Sequence, residues 1–326
     1  MKIVAAVIGM GVGEKHLEAI DGFKGSNVKI ICEKNKNKIQ ILKKKYPKKL
    51  VTSKEDDIFL DKQINLVSLA SYDDYHYSQI LKCFKYNKNV IVEKPMCLNS
   101  NQLKNIYRLI KTKKIKMTSN LVLRVNSLFK DFKKKIDNSK IFYIEGDYIW
   151  GRKKKLYGWR SKIKQYSLTL GAGIHIIDLV NWLTGLKPKT VYAVGSKKAT
   201  RGTSFKKNSM IAMIFEYQKN IIVKITANGA ATFNHFHEIK VFSDNQTLVN
   251  SRLGSYMIKK DKLYKIHSAY PDKQNRKKLI HNFIETLTKK NIKPIISIKE
   301  QIDLMTICFA VDKSVALNKK IKINYL

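Results

Sequence analysis

The chain has 326 residues, 44% of them hydrophobic, which is too long for one ordinary core and sufficient for two packed domains. No apolar run reaches the ~20 residues that a membrane helix needs. Residues 3–8 lead into glycines and charged residues without the cleavage site of a signal peptide. We therefore expect a cytoplasmic protein without a membrane partner. The cysteines are widely spaced and predict reduced thiols, with neither disulfides nor a metal site: Cys32, Cys83, Cys97 and Cys308.

The formal net charge of +39 raises the question of a nucleic-acid partner. Only seven of the 64 basic residues are arginines, and the lysines are dispersed over the whole length. Proteins that read bases or phosphates favour the bidentate guanidinium group of arginine. We therefore predict a solvated basic surface and no nucleic-acid partner. The alternative, binding driven by the charge, would give retention on DNA or RNA that falls steeply with salt.

The first third of the sequence alternates short apolar runs with helical segments. Strands are predicted at 3–8, 28–32, 66–70, 90–92 and 117–122. Helices are predicted between them at 13–20, 35–46 and 75–86, and from a cap at Asn101 to about 113. Such alternation is typical of βαβ units with a parallel sheet. We therefore predict a doubly wound Rossmann domain over residues 1–120.

Strand-like runs dominate after about residue 120. They lie at 142–150, 191–194, 210–217, 221–227, 238–243 and 256–258, and helical spacing recurs at 173–183, 275–287 and 299–317. This order predicts an α/β domain with an open, largely antiparallel sheet over residues 121–326. The helices would cover only one face of that sheet, so the other face needs a cover. We expect a homodimer or homotetramer through Ile211, Met213 and Phe215 or their neighbours.

A glycine turn follows the first predicted strand and opens the first predicted helix. Gly9 would allow the tight turn, and Gly11 would let the backbone approach a pyrophosphate on the helix N-terminus. Glu33 stands twenty residues after Gly13, where an acid binds the ribose hydroxyls of a dinucleotide. The usual third glycine is replaced by Glu14, a carboxylate that must point away from the phosphates. The alternative is a glycine-rich turn in another kind of α/β protein.

Two further positions have the chemistry of proton transfer. Lys94 closes a predicted parallel strand and therefore lies at the carboxyl edge of the sheet, where ligands bind. His175 and Asp178 are three residues apart on an apolar helix, and histidine titrates near neutrality. Taken alone, Lys94 can also be a surface cation. Likewise, His175 can be a core histidine that is hydrogen-bonded to Asp178 or to backbone.

Five segments resemble the Gfo/Idh/MocA oxidoreductases, a family named for glucose-fructose oxidoreductase and inositol dehydrogenase. They are KIVAAVIGMGVGEKHLEAI, with His16 after the glycines, VKIICEK, NLVSLASYDDYHYSQILKCFKYNKNVIVEKP, SNLVLRVNSLFKDFK and LGAGIHIIDLVNWLTG. The third of these ends in the Glu-Lys-Pro motif, the most specific signature. The five segments lie between residues 2 and 185, and the resemblance itself extends over nearly the whole chain.

The resemblance implies an oxidoreductase that uses NAD in preference to NADP. It would move a hydride to or from a carbinol or ketone carbon of a sugar, cyclitol or nucleotide sugar. Lys94 would be the catalytic lysine and His175 its proton-transfer partner. The substrate would be bound by Asp178, Arg124, Trp159 and Arg160. The cofactor would be bound by Gly9, Gly11, Gly13, Glu33, Ser71, His76, Glu93, Lys94 and Asn120.

The sequence departs from the family pattern at two places. Gly171 stands where many members carry an aspartate four residues before the histidine, which removes a carboxylate from the proton relay. Ser71-Tyr72-Asp73 replaces the usual Thr-Pro-Asn. Together these changes indicate a subgroup with an altered substrate. The alternative is a non-catalytic, NAD-binding sensor of the same fold, which Gly171 favours, whereas Lys94 with His175 favours an enzyme.

Overall fold

The computed structural model of the chain describes residues 2–268, 270 and 274–326. The chain divides into two compact units. The first comprises Met1–Val122 and Lys273–Ile302, and the second comprises Leu123–Asp272 and Asp303–Leu326. The first stretch ends two residues after the predicted boundary at 120. The predicted range 121–326 for the second domain, however, includes a segment that belongs to the first unit.

A parallel sheet forms the centre of the first unit. Its strands are β1 Ile3–Ile8, β2 Ser26–Cys32, β3 Leu50–Thr52, β4 Leu66–Leu69, β5 Asn89–Val92 and β6 Met117–Ser119. Their spatial order is β3-β2-β1-β4-β5-β6, with every pairing parallel. The order reverses between β1 and β4, which leaves the crevice at their carboxyl ends that binds ligands in such sheets. The predicted doubly wound topology is therefore confirmed.

The helices of the first unit come from both ends of the chain. They are α1 Gly13–Asp21, α2 Lys36–Lys45, α3 Asp56–Phe59, α4 His76–Lys85, α5 Ser100–Thr112 and α9 Asn275–Thr288. Helix α9 buries Ile280, Phe283 and Ile284 in the same apolar cluster as Leu17 of α1 and Val28 of β2. This burial explains why residues after 273 belong to the first unit, since apolar area removed from water outweighs sequence proximity.

A nine-stranded sheet forms the second unit. Its strands are β7 Ile141–Ile149, β8 Pro188–Ser196, β9 Met210–Tyr217, β10 Ile222–Asn228, β11 Phe236–Ser243, β12 Thr247–Ser251, β13 Gly254–Lys259, β14 Lys262–Lys265 and β15 Ile321–Lys322. The order is β14-β13-β12-β11-β7-β10-β9-β8-β15. Among the described strands of this second sheet, only β7 and β10 pair in parallel. The predicted open, largely antiparallel sheet is therefore confirmed.

Helix α8 Ile174–Thr184 packs on one face of this sheet, and α6 Ser127–Lys135 packs on α8. The other helices of the second unit are α7 Trp159–Lys162 and the part of α10 Ile298–Leu317 that lies in this unit. A π-helical turn, Thr169–Gly173, precedes α8. A Cβ atom on Gly146 would come within 2.5 Å of Ile176 Cγ2, so α8 packs directly on β7. No helix in the described part of the chain is both long enough and apolar enough to cross a membrane.

The opposite face of the nine-stranded sheet carries exposed apolar side chains. Ile211, Met213 and Phe215 are at most 2% exposed, so the three residues named for self-association lie on the covered face. Side chains alternate along a strand, and their neighbour Ile214 is 51% exposed. Phe142 and Val194 are exposed as well. The exposed apolar face of the sheet therefore contains Ile214, whereas Ile211, Met213 and Phe215 lie on the opposite, buried face.

Several element boundaries differ from the predictions. Helix α5 begins at Ser100 because Asn99, and not Asn101, caps it by accepting from the Gln102 backbone N–H at 3.0 Å. Three helices were not predicted, namely α3, α6 and α7, and neither were four short strands, β3, β12, β14 and β15. Strand β14 is exposed along its whole length and has no apolar face for a pattern to show.

Candidate active site

The glycine turn of the first unit joins β1 to α1. Gly9 has φ of 85°, and a Cβ atom there would lie 2.6 Å from the carbonyl oxygen of Ala70. At Gly13 a Cβ atom would approach Val7 Cγ1 to 3.0 Å, so this glycine provides the close helix–strand contact. By contrast, a Cβ atom on Gly11 would meet no described atom within 4 Å. Gly11 therefore borders open space, where the backbone can approach a pyrophosphate.

Glu14 is turned away from this space. Its carboxylate accepts from Lys45 Nζ at 2.6 Å and from the Tyr46 hydroxyl at 2.9 Å, both at the carboxyl end of α2. These hydrogen bonds hold the pKa of Glu14 below its usual value. Among the described residues, no side chain caps the N-terminus of α1. Its first amides can therefore donate to a phosphate.

Glu33 follows β2 and faces the glycine turn. Its Oε2 accepts from the Met10 backbone N–H at 3.1 Å, and its Oε1 accepts from the Lys34 and Asn35 N–H groups at 2.9 and 3.0 Å. Lys38 Nζ lies 3.7 Å from Oε2 and donates to the Met10 carbonyl. The carboxylate is thus fixed where it can accept from ribose hydroxyls. With the open space at Gly11, this arrangement fits a dinucleotide.

Glu93 is the centre of a polar network at the end of β5. Its Oε1 accepts from Asn120 Nδ2 at 2.5 Å and lies 3.0 Å from His16 Nε2. Arg276 of α9 brings its Nε to 3.5 Å from the same oxygen. The other ring nitrogen of His16 is 2.7 Å from Ser68 Oγ on β4. His16 and Asn120 are at most 1% exposed, so the network is largely shielded from water.

The network determines the charge of Glu93. Burial alone would raise the pKa of this carboxyl group. The hydrogen bonds from His16 and Asn120 and the positive charge of Arg276 outweigh burial and bring the pKa of Glu93 well below its usual range. Glu93 is therefore a carboxylate at neutral pH. It anchors the backbone directly before Lys94.

Lys94 is half-buried at the carboxyl edge of β5, and its peptide bond to Pro95 is cis. His76 Nδ1 lies 2.7 Å from the Pro95 carbonyl oxygen, and Nε2 lies 3.3 Å from that of Ser71. His76 is 0% exposed and joins the loops after β4 and β5. Its cofactor contact stays a prediction. Ser71 is half-buried at the same edge and donates to Gln79 Oε1 at 2.7 Å.

His175 lies in an aromatic cluster of the second unit. Its ring stacks on Tyr148 of β7 with centroids 5.9 Å apart and an interplanar angle of 10°. His237 of β11 stands opposite Tyr148 in the antiparallel pairing and meets it edge-on at 4.8 Å. His235 lies 4.7 Å from His237, whose Nδ1 is hydrogen-bonded to the Tyr270 hydroxyl. Burial, together with the charges of His235 and Arg152, lowers the pKa of His237 well below its usual value.

The space beside Gly171 is occupied by a tyrosine. A Cβ atom at this position would lie 2.1 Å from the Tyr166 hydroxyl, which is buried with the rest of its side chain. The helical turn that contains Gly171 is also supported from α10. Burial raises the pKa of Asp312 on α10 to about 6, and the neighbouring Thr169 and Ser167 hydroxyls act in the opposite direction. The missing aspartate is therefore replaced in space by a phenol.

Arg124 and Asp178 form a buried ion pair. Arg124 Nη2 and Nε lie 2.7 and 3.1 Å from Asp178 Oδ1, and Nε lies 3.0 Å from Oδ2. The two side chains are 2% and 1% exposed. This geometry fixes one face of α8 below His175. The Arg124 guanidinium and the Asp178 carboxylate are hydrogen-bonded to each other. The substrate contacts predicted for these two residues stay a prediction.

Trp159 and Arg160 stack on each other in α7. The Arg160 guanidinium carbon lies 4.0 Å from the Trp159 ring centroid and 4.9 Å from that of Trp150. Its Nη1 donates to the Lys155 carbonyl oxygen at 3.3 Å. Stacking on two indoles holds the guanidinium plane in one orientation.

Sequence reasoning missed Arg276, Tyr148 and His237. Arg276 carries no signal, because its helix follows the second sheet in the chain and returns to the first unit. A signal existed for the other two, since each occupies an inward position of an alternating strand. It could not be read without the register that places them opposite each other.

Comparison with known proteins identifies both halves of the chain. The model of an oxidoreductase family with an NAD-binding Rossmann fold matches residues 3–121. The model of the GFO/IDH/MocA C-terminal domain matches residues 137–249.

Relatives and solved structures agree with these matches. An uncharacterised oxidoreductase of Escherichia coli, YhhX, is 27% identical over 44% of this chain and 42% of its own length. The 2,7-anhydro-N-acetylneuraminate hydratase of Escherichia coli is 22% identical over 62% of this chain and 54% of its own length. Thus only about half of each curated relative is matched. The scyllo-inositol dehydrogenase of Lactobacillus casei, solved with NAD(H) and scyllo-inositol, is 16% identical, with a TM-score of 0.82 over 99% of both chains.

The family models confirm the predicted oxidoreductase and its NAD-binding Rossmann domain. They also confirm the predicted resemblance, and the chain belongs to the Gfo/Idh/MocA oxidoreductases.

Proposed function

We propose that the protein is a dehydrogenase or reductase that acts on a CH–OH group of a sugar, cyclitol or nucleotide sugar. NAD supplies the hydride acceptor or donor when it is bound. Lys94 holds and polarises the substrate oxygen, and His175 exchanges the proton of the hydroxyl group. Tyr148 orients the His175 ring by stacking.

The observation that carries this proposal is the network around Glu93. A shielded, ionised carboxylate held by Asn120, His16 and Arg276 fixes the residue next to Lys94 at the edge of a nucleotide-binding sheet. If Lys94 were only a surface cation, there would be no need for three side chains to hold the preceding residue, Glu93, in place. Pre-organisation of this kind is expected where a charge must be placed precisely at a reacting oxygen.

The second unit favours an enzyme over a sensor. Gly171 was the main support for a non-catalytic role, and the Tyr166 hydroxyl now occupies the space beside it. The sensor remains the alternative, and it predicts NAD binding without turnover. One relative is a hydratase by name, so the assay must also detect hydride transfer that leaves no net change in NAD.

Glu33 supports NAD as the preferred cofactor. A carboxylate held by three amides accepts from ribose hydroxyls and repels a 2′-phosphate. Lys38 lies 3.7 Å from this carboxylate and Lys34 is stacked over Tyr75, 4.1 Å from the ring centroid. We expect NAD to bind more tightly than NADP, and Glu33→Gln to narrow the difference in a titration.

The test is a screen of sugars, cyclitols and nucleotide sugars with NAD, read first by thermal shift and then by turnover. A compound that raises the melting temperature only when NAD is present identifies the substrate class. We expect turnover of such a compound by the wild-type protein. NAD binding together with the absence of hydride transfer to or from every stabilising compound would support the sensor.

Self-association is proposed through the uncovered sheet face. Val194 and Ile214 are 44% and 51% exposed on the neighbouring strands β8 and β9, and exposed apolar patches mark interfaces. Phe142 is 55% exposed on β7, apart from these two residues. We expect light scattering to give the mass of a dimer or tetramer at micromolar concentration. Ile214→Lys should shift the mass towards the monomer, and a monomeric wild type would contradict the proposal.

A further inference from the structure

Three basic side chains lie together beside the aromatic cluster of His175. Arg160 is stacked on Trp159 and Trp150, with its guanidinium directed by the Lys155 carbonyl oxygen. Burial and the positive charges of Arg152 and Arg160 lower the pKa of Lys155. Within the described residues, no carboxylate forms an ion pair with any of these three side chains. Arg152 and Lys155 are exposed and Arg160 is half-buried, so the three cations present a positive surface that attracts an anionic ligand.

The position of Arg160 relative to His175 follows from strand β7. Tyr148 and Trp150 are two residues apart and both buried, and Trp150 continues the strand pairing by donating to the Asn228 carbonyl oxygen at 2.9 Å. They therefore point to the same side of the sheet, about 7 Å apart along the strand. Tyr148 stacks on His175 and Trp150 on Arg160. The residue that stacks on the Arg160 guanidinium is therefore only two positions along the chain from the residue that stacks on His175.

The chemistry of the cluster selects the ligand. A guanidinium group forms two parallel hydrogen bonds with a carboxylate or phosphate, and its plane must be fixed for both to form. The two indoles fix the plane of Arg160. His237 is uncharged at neutral pH because of burial and the neighbouring charges of His235 and Arg152, so it adds no further positive charge to this region.

We propose that Arg160, with Arg152 beside it, forms a subsite for an oxyanion substituent of the substrate, either a carboxylate or a phosphate ester. The inference rests on the proposed function, since it assumes that His175 acts on the same molecule. It restricts the substrate class to acidic sugars, namely aldonates, uronates and sugar phosphates.

The experiment uses the tryptophans as internal reporters. Trp150 and Trp159 contact Arg160, whereas the third, Trp182, lies under Lys133. The full chain is titrated at constant ionic strength with hexuronates, hexonates and hexose phosphates, each beside its neutral parent sugar. We expect at least one acid to change the fluorescence with an affinity at least about tenfold above that of its parent. Preference for the carboxylate or the phosphate series identifies the source of the oxyanion.

Variants separate the subsite from general electrostatics. Arg160→Gln should weaken binding of the preferred acid about 10- to 100-fold, and Arg160→Lys should restore only part of it because the fork is lost. Arg201→Gln removes the same charge from an exposed position of the same unit and should change affinity less than about twofold. Circular dichroism verifies that the variants are folded.

Three results would overturn the subsite. The neutral parents could bind as tightly as the acids, none of the acids could bind, or Arg160→Gln and Arg201→Gln could weaken binding equally. The titration requires neither NAD nor turnover, so it is independent of the proposed function. Turnover of a neutral sugar would contradict the subsite and support the dehydrogenase. Binding of an acid without hydride transfer would support the subsite and contradict the dehydrogenase.

Discussion

The two units of the molecule hold their charged groups in different ways. In the first unit the carboxylates of the site are paired within the protein: Glu33 with backbone amides and Glu93 with Asn120, His16 and Arg276. In the second unit the histidines pack against tyrosines, and Arg160 is stacked on indoles. The first arrangement suits one constant ligand that is bound by backbone. The second leaves side-chain polarity available for a substrate that differs between family members.

The largest expected effect separates chemistry from folding in the first unit. Lys94→Ala should lower turnover about 10²–10⁴-fold, the usual cost of losing a general acid or base, while NAD affinity and melting temperature stay nearly unchanged. His175→Ala should lose somewhat less. Steady-state kinetics on the screened substrate, with NAD titration as a control, provides the measurement. Near-normal turnover of Lys94→Ala would make the lysine a surface cation.

The second prediction concerns Arg124 and Asp178, the buried ion pair described in the second unit. Arg124→Met leaves Asp178 as an uncompensated buried charge, which should cost about 3–5 kcal/mol of unfolding free energy. Chemical denaturation measures this loss. The double variant Arg124→Met/Asp178→Leu is the control and should recover much of it, since two apolar groups replace the pair. A loss below about 1 kcal/mol in the single variant would show that the pair is hydrated.

Arg276 provides a smaller effect in the first unit. Arg276→Gln should raise the activation free energy by about 1 kcal/mol, because Glu93 is held less firmly. Turnover should therefore fall about fivefold. Arg276→Lys should restore turnover because it restores the cation beside Glu93. Arg108→Gln, an exposed change in the same unit, should not alter turnover, and wild-type turnover in Arg276→Gln would contradict this role.

The smallest expected effect depends on pH. The pKa of Asp312 is raised to about 6 by burial, so the folded state binds the proton more tightly than the unfolded state. Its contribution to stability is therefore complete below the unfolded pKa, about 4, and is lost as pH rises through 6. Asp312→Asn should raise the free energy of unfolding, measured by chemical denaturation, more at pH 8 than at pH 5, with a difference on the order of 1 kcal/mol. Equal shifts at both pH values would exclude this assignment.

The sequence predicted the first unit better than the second for a physical reason. Gly9, Gly13 and Glu33 act through backbone geometry at fixed spacing, so a local pattern suffices to find them. Arg276 and the Tyr148–His237 pair act through tertiary packing between segments distant in sequence, and no local pattern records such contacts. Ile211 and Ile214 illustrate the same limit, because alternation shows two faces without showing which one the helices cover.

The most direct measurement of the central claim follows deuterium. Reduced NAD with deuterium at the transferable position is incubated with the substrate found in the screen, and mass spectrometry locates the label. If Lys94 serves hydride transfer, the wild type places deuterium on one carbon of the substrate or product, and Lys94→Ala does so about 10²–10⁴-fold more slowly at unchanged NAD affinity. Equal rates of label transfer in the two proteins, or no transfer by the wild type to a compound that binds with NAD, would contradict it.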